Sequence, residues 1–313
     1  MIRFAAIADI QYGDQEDRNG RHYRGVYNKA LAAAGEFSKV DIAFAMNFGD
    51  TYDRDWENAQ AMKQLFDVST NKGKVKWRHV LGNHEFSVPD NKKSSVYELF
   101  GLDKPGYYDF SLVDPDDANN KWRIIVLNGN EISLYTAETA EEKEEALAER
   151  AKRTLVDGSE PQSYNGSVSD RQLEWLEERL KAAEHIDENV LVCSHFPLYA
   201  DSNSLRWKLT KLASPFNLGV YYSDLGVSTW NGDEILDVLD RHSHVRGYMS
   251  GHLHEGSYGE RNGVAHITLR GLIEAETTAY AYVELEENSL RVNGKGEQPS
   301  YESNFENNDG GPG

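Results

Sequence analysis

The chain has 313 residues, with 33 Lys and Arg against 52 Asp and Glu, and a formal net charge of -19. So acidic a surface repels polyanions, which argues against nucleic acid polymers as substrates. It does not exclude small phosphorylated metabolites, because local positive charge can outweigh a distant field across a short screening length. No apolar stretch approaches the roughly 20 residues that cross a membrane, and no signal peptide is evident. The single cysteine, Cys193, excludes an internal disulfide, and we expect a cytoplasmic protein. The oligomeric state stays open.

Short apolar runs predict buried strands, and each run ends beside a polar motif or a turn. These runs cover residues 4–8, 42–48, 77–81, 124–127 and 190–193. Between them, apolar residues at three- and four-residue spacing predict helices over residues 23–40, 59–68 and 169–184. Ser169 or Asp170 is the expected cap of the last helix. This alternation of strands and helices is typical of layered α/β folds.

The later part of the chain has a different pattern. Residues 263–269, 278–285 and 290–294 alternate between apolar and polar, which predicts antiparallel strands, and we expect them to form a second sheet. We interpret residues 1–295 as a single domain and residues 296–313 as a flexible tail.

Two insertions are predicted, at residues 137–160 and 200–230. The first contains a stretch rich in Glu and Ala at 137–150, which predicts a solvated helix. The second contains five aromatic residues, which indicate either ordinary packing or a rim that stacks a nucleobase. These residues are Trp207, Phe216, Tyr221, Tyr222 and Trp230.

Acidic and amide side chains follow the first two predicted strands. Asp9 and Gln11 could both reach a metal if the chain turns there, although an ordinary strand terminus gives the same pattern. Asp50 follows Gly49, where glycine permits a tight turn, and we predict that the Asp50 carboxylate bridges two cations. Asp53 is expected to orient an imidazole, because a neighbouring carboxylate fixes the tautomer and raises the basicity of a histidine.

Asparagine and histidine motifs complete the pattern. The amide oxygen of Asn83 is a potential metal ligand, and the adjacent His84 is free to donate a proton; a turn with a capping Asn is the alternative. His195 leaves a buried strand for a loop, where a lone histidine is usually structural. His252 and His254 lie two residues apart after a glycine and can reach neighbouring metals from one loop.

Taken together, these motifs predict one centre for two divalent metals, formed by loops at the ends of several strands. Oxygen and imidazole ligands suit such metals, and a pair about 3.5 to 4 Å apart can hold both a nucleophile and a phosphoryl group. The convergence of several motifs, and no single motif, supports this prediction. The chemistry indicates a hydrolase of phosphoesters or phosphoanhydrides.

The ordered motifs resemble those of the calcineurin-like metallophosphoesterase superfamily over residues 1–295. The resemblance implies a four-layer α/β/β/α sandwich of two mixed sheets. It implies that one metal is held by Asp9, Gln11, Asp50 and His254, and the other by Asp50, Asn83, His195 and His252. It also implies in-line attack on phosphorus by a metal-bridged hydroxide. His84 would assist the leaving oxygen, and Asp53 would orient His84. Asn83 is the third expected catalytic residue.

Gln11, where histidine is usual in the superfamily, narrows the resemblance to the manganese-dependent ADP-ribose/CDP-alcohol diphosphatases. Residues 9–12, 21–24, 82–86, 164–166, 172–176, 251–256 and 271–275 are similar to that family, whereas residues 200–226 do not align with it. An amide in place of an imidazole makes the first metal site rich in oxygen, which favours Mn and Mg over Zn. We expect two Mn ions, with Mg, Fe or Zn as alternatives.

Two arginines follow Gln11 within a short loop. Guanidinium groups bind phosphate oxygens bidentately, so we predict that Arg24, with Arg21, binds the second phosphate of a diphosphate substrate; a solvated helix start is an equal alternative. The predicted reaction cleaves ADP-ribose, a CDP-alcohol or a similar compound. The alternatives are a phosphodiesterase or phosphomonoesterase acting on simpler esters or cyclic nucleotides, and a non-catalytic scaffold of the same fold.

Overall fold

The computed structural model describes residues 1–153, 160–198 and 227–305. Its strands, in chain order, are β1 (Ile2–Ile7), β2 (Ala45–Asn47), β3 (Trp77–His79), β4 (Tyr108–Asp114), β5 (Asp117–Val126), β6 (Ile132–Ser133), β7 (Gly166–Ser167), β8 (Asn189–Cys193), β9 (Val245–Ser250), β10 (Glu255–Arg261), β11 (Val264–Arg270), β12 (Ala279–Glu286), β13 (Ser289–Gly296) and β14 (Tyr301–Asn304). Its α-helices are α1 (Gly25–Phe37), α2 (Trp56–Gly73), α3 (Lys93–Leu99), α4 (Ala140–Ala151), α5 (Asp170–His185) and α6 (Gly232–Leu239). Every strand and helix predicted from the sequence is present, with different bounds.

Two six-stranded sheets form the centre of the molecule. The first has the order β14-β13-β12-β1-β2-β3, in which β1, β2 and β3 run parallel and the other neighbours pair antiparallel. The second has the order β10-β11-β9-β8-β5-β4, in which β11, β9, β8 and β5 run parallel and both edge strands pair antiparallel. Both sheets are therefore mixed, as predicted.

The side chains of each central strand pack on two sides, because successive residues of a strand face opposite sides of the sheet. In β1, Phe4 and Ala6 pack in a core shared with the second sheet, whereas Ala5 and Ile7 pack with residues of α1 and α2. On the far side of the second sheet, residues such as Val192 pack against α5 and α6. The predicted four-layer α/β/β/α sandwich is confirmed.

The segments predicted to form a second sheet, residues 263–269, 278–285 and 290–294, do not all lie in one sheet. Strands β12 and β13 complete the first sheet through antiparallel pairing of β12 with β1, and β11 alone of the three predicted segments lies in the second sheet, parallel to β9. Alternation of apolar residues shows that one face of a strand is buried, but it does not specify the neighbouring strand. The second sheet consists instead of β11 with the predicted β5 and β8 and with β4, β9 and β10, which the sequence analysis missed.

The C-terminal segment forms structure where a flexible tail was predicted. Strand β14 pairs with β13, and Tyr301 stacks on Tyr258 with ring centroids 5.2 Å apart. Phe305 packs against Trp122 at 6.0 Å between ring centroids. The prediction for residues 296–313 is therefore wrong as far as residue 305, because two aromatic side chains fix an otherwise polar segment. Residues 306–313 lie outside the described part of the chain.

The predicted insertions are described in part. The first contains α4, which begins with a capping box in which the Thr139 side chain accepts a hydrogen bond from the Glu142 N–H. In the second, Trp230 is buried and its Nε1 donates to the Gln162 carbonyl at 3.1 Å, which is a packing role. Trp207, Phe216, Tyr221 and Tyr222 lie outside the described residues.

The predicted cap of α5 is confirmed as Ser169, whose side chain accepts a hydrogen bond from the Gln172 N–H. Among the helices in the described ranges, none has both the length and the apolar character that a membrane crossing requires.

Candidate metal centre

The loops that follow the parallel strands of both sheets bring the predicted metal ligands together. Asp9 follows β1 and Asp50 follows β2, and the Asp9 N–H donates to the Gly49 carbonyl at 3.1 Å. The loop after β9 reaches the same place, because the His252 N–H donates to Asp9 Oδ2 at 3.0 Å. Predicted ligands from both sheets therefore meet at the carboxyl ends of their strands, where α/β folds usually place ligand sites.

Four of the predicted ligands have a left-handed backbone, with φ of 49° at Asp9, 46° at Gln11, 51° at Asp50 and 72° at His252. Residues that carry a Cβ rarely adopt this conformation, which costs about 1–3 kcal/mol and persists only where surrounding contacts impose it. The turn after β1 breaks the alternation of sides, so Asp9 and Gln11 both face the site. Such a turn is the condition on which the sequence predicted that both side chains could reach a metal.

Asp50 lies at the centre of the site. Its Oδ2 is 3.3 Å from Nε2 of His195, and that nitrogen is 3.2 Å from Nδ1 of His252. The Oδ2 atom also accepts a hydrogen bond from Gln11 Nε2 at 3.2 Å. Ligand atoms of Asp50, His195 and His252 all lie within 4.8 Å of one another.

A second group of ligand atoms adjoins the first. Nε2 of His254 is 3.5 Å from Asp9 Oδ1 and 3.2 Å from Gln11 Nε2. Gln11 contacts both His254, in the second group, and Asp50, in the first. Asp50 therefore adjoins both groups. This arrangement is compatible with a carboxylate that bridges two metals.

Backbone and carboxylate groups fix the tautomers of the histidines. His195 Nδ1 donates to the Phe48 carbonyl at 2.8 Å, and His254 Nδ1 donates to Glu274 Oε1 at 2.8 Å. In each case Nε2 is the nitrogen that faces the ligand groups. Hydrogen bonds of this kind are typical of histidines that bind metals.

His84 and Asp53 form the pair predicted from the sequence. His84 Nδ1 is 2.8 Å from Asp53 Oδ1, and Asp53 Oδ2 accepts a hydrogen bond from Gln15 Nε2 at 2.6 Å. His84 Nε2 is 3.8 Å from Asp50 Oδ2, so the imidazole faces the centre of the site. The residue is partly exposed, with 24% of its side chain accessible, and can therefore reach a bound substrate.

The charges of the site shift the pKa values of its residues. Burial would raise the pKa of Asp50, but the imidazoles of His195 and His84 outweigh it and hold that pKa far below its usual range. Burial lowers the pKa of His195 and His254, yet the neighbouring carboxylates Asp50 and Asp9 raise both values to about 9. A metal must therefore displace a proton from each of these two histidines near neutral pH.

The residues present fit a pair of divalent metals. The set combines carboxylate, amide and imidazole ligands, and within the described residues Asn83 Oδ1 is buried without a hydrogen-bond partner. An unpaired buried amide oxygen is costly unless another group binds it. Gln11 directs Nε2 to the site and Oε1 to Arg21, and a half-turn of the amide would exchange the two atoms.

A cavity of about 270 Å³ lies beside these residues. Arg21 lines it together with Tyr135 and Tyr164, and the Tyr164 ring lies 5.7 Å from the His252 ring. Arg24 is not among the lining residues; its guanidinium is 57% exposed and pairs with Asp14 at 2.7 Å. The structure thus brings Arg21 to the predicted site but not Arg24.

The model of the calcineurin-like phosphoesterase family matches residues 2–256. The chain belongs to this family. Two similar proteins are manganese-dependent ADP-ribose/CDP-alcohol diphosphatases: that of Arabidopsis thaliana is 27% identical over 98% of this chain and 97% of its own, and that of Xenopus tropicalis is 28% identical over 94% and 91%. A solved structure of a dimetal phosphatase from Danio rerio has a TM-score of 0.75 at 23% identity and covers 97% of this chain and 99% of its own, which shows a shared fold.

Two acidic residues of this phosphoesterase received no role in the sequence analysis. Glu85 is fully buried, and its carboxylate accepts hydrogen bonds from the N–H groups of Asp50 at 2.8 Å, Thr51 at 2.6 Å and Gly82 at 2.8 Å. It thereby joins the loops after β2 and β3. Glu274 binds His254. For Glu274, the signal that could have identified it is its position between the apolar residues Ile273 and Ala275.

Gly82 permits the close approach of the loops that carry Asp50 and Asn83. A Cβ at this position would lie 2.2 Å from Asp50 Oδ1 and 2.5 Å from the Asp50 nitrogen. We expect Gly82→Ala to displace Asp50, to lower the free energy of unfolding by about 1–3 kcal/mol and to weaken metal binding. Thermal unfolding and competition with a chelator measure the two effects.

The matched control for this prediction is Gly35→Ala within α1, where no atom outside the adjacent residues and the backbone of the helix lies within 4 Å of an added Cβ. This change should leave metal affinity unaltered and raise stability by up to ~1 kcal/mol, since alanine favours a helix. Equal metal affinity of Gly82→Ala and the unmodified protein would contradict the prediction.

Proposed function

We propose that this phosphoesterase is a manganese-dependent hydrolase of nucleoside diphosphate-linked metabolites such as ADP-ribose and CDP-alcohols. The main observation behind the proposal is the position of Asp50, which contacts His195 in one ligand group and Gln11 in the other. The names of the Arabidopsis thaliana and Xenopus tropicalis relatives support the choice of metal and of substrate.

In this proposal each metal is held by four residues. Asp9, Gln11, Asp50 and His254 hold the first, and Asp50, Asn83, His195 and His252 hold the second. The first set is rich in oxygen, which suits Mn better than Zn. When bound, the metal pair supplies Lewis-acid chemistry, because it neutralises phosphoryl charge and lowers the pKa of water.

His84 is proposed to donate a proton to the leaving oxygen. Burial lowers its pKa, but Asp50 and Asp53 outweigh burial and raise the pKa above its usual value, which favours the protonated form that a general acid needs. The bond between Nδ1 and Asp53 fixes the ring and directs Nε2 towards the site. Gln15 in turn holds Asp53.

Arg21 is the residue that we propose to bind the second phosphate of the substrate. It lines the cavity beside Asp50 and His84, and its Nη1 lies 3.2 Å from the side-chain amide of Gln11. A guanidinium so close to the ligand groups offers local positive charge to a small diphosphate, although the surface as a whole is acidic. Arg24, which was predicted to bind this phosphate together with Arg21, pairs with Asp14 at 2.7 Å and does not line the cavity.

We also propose a cytoplasmic location. The single cysteine, Cys193, is buried and free, which suits a reducing compartment. The substrates proposed above are small phosphorylated metabolites, and the net charge of -19 disfavours nucleic acid polymers as partners.

Chelator-stripped protein tests the proposal. ADP-ribose, CDP-choline, a cyclic nucleotide and an aryl phosphate are each incubated with Mn, with Mg or without metal, and the products are quantified. We expect Mn-dependent release of AMP and CMP from the two diphosphates, with kcat/KM at least roughly tenfold above the other substrates.

The other outcomes distinguish the alternatives. Metal-dependent cleavage of the aryl phosphate or the cyclic nucleotide alone would overturn the diphosphatase assignment and retain a phosphohydrolase. Absence of both metal binding and hydrolysis would overturn the proposal as a whole and favour a non-catalytic scaffold.

A further inference from the structure

Glu274 contacts both His254, a predicted metal ligand, and Arg21, which lines the cavity. Its Oε1 accepts a hydrogen bond from His254 Nδ1 at 2.8 Å and another from Arg21 Nε at 3.3 Å. Arg21 then reaches Gln11 Oε1 through Nη1 at 3.2 Å. One carboxylate oxygen thus links a predicted ligand of the first metal to the side chain proposed to bind phosphate.

The backbone around Glu274 is fixed by the same segments of chain. The N–H groups of Leu272 and Ile273 donate to the carbonyls of Ala8 and Asp9, each at 3.0 Å. The His22 N–H donates to the Ile273 carbonyl at 2.9 Å, and the Gly271 N–H donates to the His254 carbonyl at 3.0 Å. Residues 271–274 therefore join the strand end that carries Asp9, the loop that carries Arg21 and the loop that carries His254.

We propose that Glu274 is a positioning residue that couples metal binding at His254 to the orientation of Arg21. Its carboxylate keeps the proton of His254 on Nδ1, which leaves Nε2 for the metal. The same oxygen holds the guanidinium at the edge of the cavity, so that less rotational freedom is lost when a phosphate binds. The role of Arg21 in this inference rests on the proposed function, whereas the role of His254 does not.

Glu274→Ala and Glu274→Gln test the proposal, and the first measurement is Mn affinity of the stripped protein by competition with a chelator. We expect Glu274→Ala to weaken Mn binding about 10- to 100-fold, as is typical when the partner of a metal-binding histidine is lost. Glu274→Gln should have a smaller effect, because its amide oxygen can still accept the His254 proton.

The second measurement concerns Arg21. We expect Glu274→Ala at saturating Mn to raise KM for ADP-ribose more than it lowers kcat. The increases in KM caused by Arg21→Ala and Glu274→Ala should not multiply in the double variant, because both changes remove one interaction.

Glu276→Gln is the matched control, since Glu276 is 82% exposed two residues further along and lies 3.8 Å from His22 Nε2. This control should retain both Mn affinity and KM. Mn affinity of Glu274→Ala equal to that of the unmodified protein would overturn the inference, as would fully multiplicative effects on KM. If the unmodified protein does not cleave ADP-ribose, the proposed substrate fails, while Mn affinity still decides the role of Glu274 at His254.

Discussion

Asp50→Asn is expected to lower kcat for ADP-ribose roughly 10³-fold or more, because metal ions contribute several kcal/mol to phosphoryl transfer and each 1.36 kcal/mol changes the rate tenfold. Asp50 is buried, and its Oδ2 lies within 3.8 Å of His195, Gln11 and His84. The substitution removes the negative charge that both proposed metals share and keeps the shape of the side chain. Steady-state kinetics and metal content after dialysis measure the two consequences.

The control for Asp50→Asn is Asp41→Asn. Asp41 is exposed and lies before β2, whereas Asp50 lies after it, so the two aspartates are at opposite ends of the strand. The control should retain its activity and its metals. An Asp50→Asn variant that remains folded, binds two metals per chain and turns over at the normal rate would exclude the bridging role.

His84→Gln is expected to lower kcat by about 10²- to 10⁴-fold, the usual contribution of a general acid. KM and Mn affinity should change little, because His84 is not among the proposed metal ligands. Asp53→Asn should have a smaller effect on kcat, since Asp53 acts by holding His84 Nδ1 at 2.8 Å. In the His84→Gln background, Asp53→Asn should cause no further loss, which a double-mutant cycle measures.

His185→Gln serves as the control for His84, because His185 is exposed in the last turn of α5. It should show normal kcat. A full additional loss from Asp53→Asn in the His84→Gln background would indicate that Asp53 acts independently of the imidazole. Loss of Mn affinity in His84→Gln would indicate a structural or ligand role instead of proton transfer.

The sequence by itself determined which residues are the predicted metal ligands and their order along the chain. The predicted ligands from Asp9 to His195 follow predicted apolar runs, and the ends of parallel strands meet at one edge whatever their separation in sequence. The strand before His252 and His254, β9, was not predicted. Asp9 and His254 are far apart in the chain, yet their side chains lie 3.5 Å apart. The layered fold was also predictable, since strands and helices alternate in the apolar pattern.

Contacts between distant residues were decided by the tertiary structure alone. The pattern of β12 and β13 did not specify which sheet they join, because alternation identifies a buried face and not a partner strand. Likewise, Arg21 and Arg24 are equivalent in type, but Arg21 reaches Gln11 and Glu274 while Arg24 pairs with Asp14. The roles of Glu85 and Glu274 depend on backbone groups and side chains of other loops, whose positions are set only when the two sheets pack together.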